Sequence, residues 1–178
     1  MGVISLGLAE IQVGAIAADG GEATTYSKIG KTYEKTCKLT QDKADVTEHY
    51  EEGQSAPEVR KKKKKVPILS FSIMDPDPTF LKAYLGGTTT GTADDMVWNW
   101  SDTDEEIEAS IRAVPEVGLV YTIPRADIEA VLNAEMSSQG INLVDFTVTP
   151  LKPTKTGVAT ISARKKTTTF PSAGGESE

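Results

Sequence analysis

The sequence predicts a mainly β fold: a β-sandwich or partly open barrel with one short flanking α-helix and a long extended hairpin arm. Three observations carry this. Apolar residues alternate with polar ones through many short runs, the two-residue period of a half-buried strand. Helical spacing is clearest in a single short stripe, Phe80, Leu81, Tyr84 and Leu85. Glycine, proline and aspartate clusters separate the runs, as turns do in all-β chains.

The elements follow in order. Ile11 and Val13 alternate with Glu10 and Gln12, predicting a first strand near residues 3–14, followed by a loop at Asp19-Gly20-Gly21. From Thr32 the chain goes out on one strand, with Tyr33, Cys37 and Leu39 on one face and Glu34, Thr36, Lys38 and Thr40 on the other. It returns on a second strand through Leu69, Phe71 and Ile73, ending at Asp75. A register that sets Leu39 opposite Ile73 also sets Glu48, Glu51 and Glu52 opposite Lys64, Lys61 and Arg60.

Exposed cross-strand ion pairs contribute only about 0.2–1 kcal/mol each and are screened by salt, so three of them cannot hold a long polar arm rigid. Residues 41–65 are therefore expected to be a flexible assembly hairpin that another surface must order. Its candidate contact residues are Glu48, His49, Tyr50, Glu51, Glu52, Arg60, Lys61, Lys62 and Lys64.

Beyond the arm, Asp77 and Pro78 have the chemistry of an N-cap and first helical residue, and Gly86-Gly87 that of a helix stop. A loop or weak strand follows to Thr92. Met96, Trp98 and Trp100 then share one face of a strand, and Asp102 to Asp104 turns the chain. Ile107, Ala109, Ile111 and Ala113 alternate with Glu106, Glu108, Ser110 and Arg112, and Leu119, Tyr121 and Ile123 supply another strand.

Residues 125–137 are rich in helix formers. Their even positions from Ala126 to Met136 are all apolar, however, which predicts a strand; a helix would place Glu135 on the core stripe. A turn from Ser137 to Gly140 leads to Val144, Phe146 and Val148 of a final hairpin, stopped by Pro150-Leu-Lys-Pro153. A last strand is expected at residues 158–163. The chain is read as one domain over 1–163, with 164–178 a flexible tail of polar character.

Composition limits the function. A net charge of −7 and a pI near 4.9 argue against a general nucleic-acid binder, whose phosphate affinity comes from accumulated lysine and arginine. The single cysteine, Cys37, excludes an internal disulfide framework and a multi-thiolate zinc site. No run has the length of a membrane span, and the Met1 end lacks a secretion-signal pattern, so synthesis in the cytoplasm is expected.

No catalytic constellation is visible, and no enzyme, cofactor or metal is expected. The one histidine, His49, lies in the charged arm with no nucleophile or orienting acid marked beside it. The Gly86–Thr92 loop lacks the lysine-hydroxyl ending of a phosphate-binding loop. The acidic residues at 75, 77, 94, 95, 102 and 104–106 have no calcium-loop spacing and suit caps and turns. Trp98 and Trp100 suit a core or subunit interface better than a sugar-stacking platform.

Several segments together carry a resemblance: Thr36-Cys-Lys-Leu-Thr40, Thr47-Glu-His-Tyr-Glu-Glu-Gly53, Lys65-Val-Pro67, Phe71-Ser-Ile-Met-Asp-Pro-Asp-Pro78 and the Pro150–Pro153 ending. Across most of residues 1–163 the pattern resembles the major tail tube proteins of long-tailed phages and prophages. The resemblance implies a structural virion protein, made in a bacterial host cytoplasm and ending in the virion tail.

Its subunits would close into hexameric rings stacked as a hollow tube, with the hairpin arm bridging copies. Tape-measure and terminator proteins would be its other partners, and DNA would pass through an acidic lumen without specific binding; no membrane is involved. Two alternatives remain open. One is a tube subunit of a contractile or type VI-like injection system. The other is a solitary β-sandwich binding module using Trp98 and Trp100.

Overall fold

The structure, a computed structural model, describes residues 2–103 and 105–167. In chain order the elements are β1 (Glu10–Gly14), β2 (Ser27–Lys28), β3 (Lys38–Thr40), β4 (Asp45–His49), β5 (Val59–Lys63), β6 (Ile68–Ile73), α1 (Pro78–Leu85), β7 (Thr88–Thr90) and β8 (Val97–Asn99). They continue with β9 (Glu108–Val114), β10 (Leu119–Ala134), β11 (Asn142–Pro150) and β12 (Ser162–Lys165). The fold is mainly β and sandwich-like, with antiparallel sheets, one short helix and no closed barrel.

The main sheet runs β2-β1-β9-β10-β11-β6-β3, with β12 beside the first part of β10. Alternation builds its inner face: Leu69, Phe71 and Ile73 of β6 and Val144, Phe146 and Val148 of β11 are almost wholly buried, with Ile11, Ile111, Ala126 and Ile128. Phe71 and Phe146 stack at 4.9 Å. Phe80 and Tyr84 of α1 meet Phe146 edge-on at 5.8 and 5.2 Å, so the helix closes this part of the core. The Asp77 side chain accepts from the Phe80 amide at 2.6 Å, Pro78 begins the helix and Gly86 ends it, as expected. A cap of this kind contributes about 1 kcal/mol.

The two strands expected at Leu119–Ile123 and after Arg125 are one, the 16-residue β10. Pro124 lies inside it, a residue with no amide to give to a ladder. The position tolerates it because β12 pairs only as far as Thr122 and β11 only from Ala126, and the register against β9 shifts between Ile123 and Ala126. This bulge moves the inward face from odd to even positions.

A second departure joins the ends of the sheet. The Ile29 amide donates to Ile11 of β1 at 3.0 Å, and four residues on the Tyr33 amide donates to Ser72 of β6 at 2.8 Å. Between them Gly30, at φ 152°, passes so close that an added Cβ would lie 2.9 Å from Ile73 Cγ2. The segment bridges the two sides without a continuous ladder.

The polar face of β9 is also covered. Ser110 and Arg112 are buried beneath the loop after β1: the Arg112 guanidinium lies 3.8 Å from the Tyr26 ring centroid and pairs with Glu22, and the Tyr26 and Ser110 hydroxyls are 2.6 Å apart.

Three boundaries differ from expectation. The first strand is β1 alone rather than residues 3–14, although Leu6 makes an isolated bridge to Val117. The outward strand from Thr32 is interrupted at Glu34 and Lys35, where Lys35 takes φ 61°, so its regular part is only β3. The last strand, β12, falls at Ser162–Lys165 rather than 158–163, because the chain remains irregular after Pro153 until it reaches the free edge of β10. Of the expected tail, Arg164 and Lys165 belong to β12, and residues 168–178 lie outside the described residues.

Candidate assembly arm

β4 and β5 pair only with each other, in a separate two-stranded sheet, and pack on no other element among the described residues. The reason is compositional. The main-sheet stretch of β6 alternates Leu69, Phe71 and Ile73 inward, whereas β4 offers only Val46 and β5 only Val59 as large apolar groups, both exposed. With so little apolar area to bury, the strands have no energetic reason to fold back on the body. They leave it where Thr40 pairs with Ile68, the last rung of the β3–β6 ladder.

The pairing corrects the expected register. Leu39 lies opposite Leu69 rather than Ile73, a displacement of four positions. The same offset runs on into the arm, where Glu48 faces Arg60 and not Lys64, Thr47 faces Lys61 and Val46 faces Lys62. Glu51 and Glu52 face no strand residue. They form the tip with Tyr50, where Gln54 donates its amide to the Glu51 carbonyl at 3.1 Å and Gly53 supplies φ 84°. Ile73 is taken by an isolated bridge to Thr32, before the Glu34–Lys35 turn, so Leu39 meets Leu69 instead, and nine residues, 50–58, then separate the paired His49 and Val59. An even displacement leaves every side chain on its predicted face.

Charge pairing is accordingly thinner than expected. Arg60 Nε meets Glu48 at 2.8 Å, and Lys65 Nζ meets Asp45 at 3.1 Å, which raises the Lys65 pKa through that hydrogen bond and its charge. The Tyr50 hydroxyl donates to Glu48, which raises its own pKa. His49 ends β4 opposite Val59, exposed. Lys61, Lys62, Lys63 and Lys64 are exposed and make no ion pair among the described residues.

Of the remaining candidates, Trp98 and Asp75 take structural places. Trp98 donates its indole N–H to the Gly86 carbonyl at 2.8 Å, tying β8 to the end of α1, while Trp100 is 69% exposed. Asp75 accepts from the Lys31 amide at 2.7 Å. No group of three or more metal-ligating side chains converges among the described residues. No described helix is long and apolar enough to cross a membrane.

Sequence reasoning missed two features of this surface. One is a groove of about 720 Å³ between the segment before β1, the segment before β3 and the start of β10. The other is the projecting end of the β10–β11 hairpin, where every residue from Val131 to Gln139 is exposed. The signal for the latter was present, since Val131 breaks the polar run at odd positions. Compared with protein-family models and with curated proteins, the chain matches none.

Proposed function

We propose that this chain is a structural subunit that assembles with copies of itself, through the β4–β5 arm, into stacked hexameric rings forming a hollow tube that conducts DNA. The observation that carries the reading is the arm: a projecting hairpin that, among the described residues, touches no other element and presents Lys61–Lys64 without acidic partners. Four adjacent ammonium groups repel one another, and an acidic surface relieves that repulsion.

The body supplies one. Residues 41–65 hold seven of the 19 basic and six of the 26 acidic side chains, leaving 12 basic and 20 acidic elsewhere. A basic arm and an acidic body on one chain suit contact between copies. A contact whose two sides differ generates rings when it closes and filaments when it repeats. The excess acid elsewhere also suits a bore along which DNA moves without adhering. The resemblance of the sequence to tail tube proteins points the same way.

A solitary binding module is the rival that one observation favours, the exposed indole of Trp100. Electron micrographs of the concentrated protein separate the two. Rings or tubes are expected from the wild type. The triple variant Lys61→Glu, Lys62→Glu, Lys64→Glu is expected to give none while keeping a β-type circular dichroism spectrum. A monomer at every concentration, or normal tubes from the variant, would overturn the assignment.

A further inference from the structure

The β10–β11 hairpin ends in an apolar knob. Beyond its last buried residues, Val131, Leu132 and Met136 are 54, 46 and 90% exposed, among the large apolar side chains most open to solvent in the body. Glu129 and Glu135 flank them, both exposed. Leu132 lies on the core-side face and Val131 on the opposite one, so the end of the hairpin offers apolar area on both faces for another surface to bury.

At the other end of β10 lies the groove. Leu8, Leu39, Leu69, Ala113, Leu119 and Tyr121 supply its apolar walls; Lys28, Lys31, Lys35 and Glu34 stand on its rim, Lys35 paired with Glu34 at 3.8 Å, so that Lys28 and Lys31 supply its net positive charge. Its volume of about 720 Å³ is within the range of sites that enclose sizeable apolar ligands. Ile4, Leu6 and Val117, 78, 65 and 61% exposed, extend the apolar surface beside it.

Knob and groove therefore match in two respects, apolar to apolar and acid to base. They lie at opposite ends of one strand. Leu119 lines the groove and Ala134 borders the knob, and the 16 residues of β10 between them span up to about 50 Å at the rise of a strand.

We infer that the β10–β11 knob of one copy seats in the groove at the start of β10 of the next, a head-to-tail contact distinct from the lysine arm. The inference rests on the reading of the chain as a self-assembling subunit and names a second surface for it. A contact of this type joins different faces of the two copies, so each copy keeps one knob or one groove free to continue the array. The lysine rim orients the incoming hairpin and the apolar walls hold it.

The test uses the full chain with Met136→Cys, labelled by a benzophenone maleimide and concentrated. The native Cys37 thiol is half-buried and pushed up to about 11 by desolvation, so the label goes to the knob. After irradiation of a mixture with isotopically labelled wild type, intermolecular adducts are expected on residues 5–9, 28–39 or 113–121. In parallel, Leu132→Asp with Met136→Asp, both at exposed positions that leave the core untouched, is expected to raise the concentration needed for assembly at least tenfold.

Adducts confined to residues 131–139, or to the arm, or assembly unchanged in the aspartate variant, would overturn the seat while leaving the tube reading intact if micrographs still show particles. Wild-type protein that never associates would overturn both.

Discussion

Cys37 illustrates what one position can report. Its place against the core was legible from its alternation with Leu39, although Tyr33, expected on the same face, is exposed before the Glu34–Lys35 turn, and desolvation raises the Cys37 thiol from 9.0 to about 11. Because the folded chain holds the proton more tightly, the associated stability is complete below pH 9 and is lost as the pH climbs through about 11. At pH 8 the folded thiol is expected to react with iodoacetamide about a hundredfold more slowly than in urea, since two pKa units separate the thiolate fractions. Equal rates in the two states would show that the burial is wrong. Arg112 teaches the opposite lesson. Its even position on β9 reads as solvent-facing, yet it is 7% exposed, because Tyr26 and Glu22 arrive from a loop. Alternation reports which face a side chain is on, but not what later covers that face.

At the scale of elements, most strands and the helix were legible because period and capping chemistry are local. The Asp77 cap, the Gly86 stop and the β11 core face all follow from residues within a turn of one another. Register was not local. The offset of four positions in the β3–β6 and β4–β5 ladders follows from Thr32 taking the bridge to Ile73, a distant contact that charge matching could not reveal because Lys61–Lys65 are chemically alike. Sliding one lysine past another changes little, so polar strands of this kind specify their pairing weakly. The β4 and β5 amides are therefore expected to exchange with solvent within seconds to minutes in the monomer, while those of β9, β10 and β11 are protected by the core. On assembly the arm is expected to become protected. Arm amides as slow as those of β11 in a verified monomer would contradict its isolation from the body.

For the whole molecule, the two proposed contacts differ in their physics, and salt separates them. The lysine arm acts through exposed charge, which is screened beyond about 8 Å at physiological ionic strength and beyond about 3 Å near 1 M. The apolar knob loses only the help of the groove's lysine rim. Raising salt toward 1 M is expected to abolish arm-dependent stacking while short knob-to-groove oligomers persist in sedimentation velocity, and loss of both together would count against two separate surfaces. The unbroken course of β10 from groove to knob has a mechanical corollary. If neighbours pull on its two ends, tension passes down one covalent main chain instead of across packed side chains, and the kink at Pro124 is the natural place for that chain to lengthen before any ladder tears.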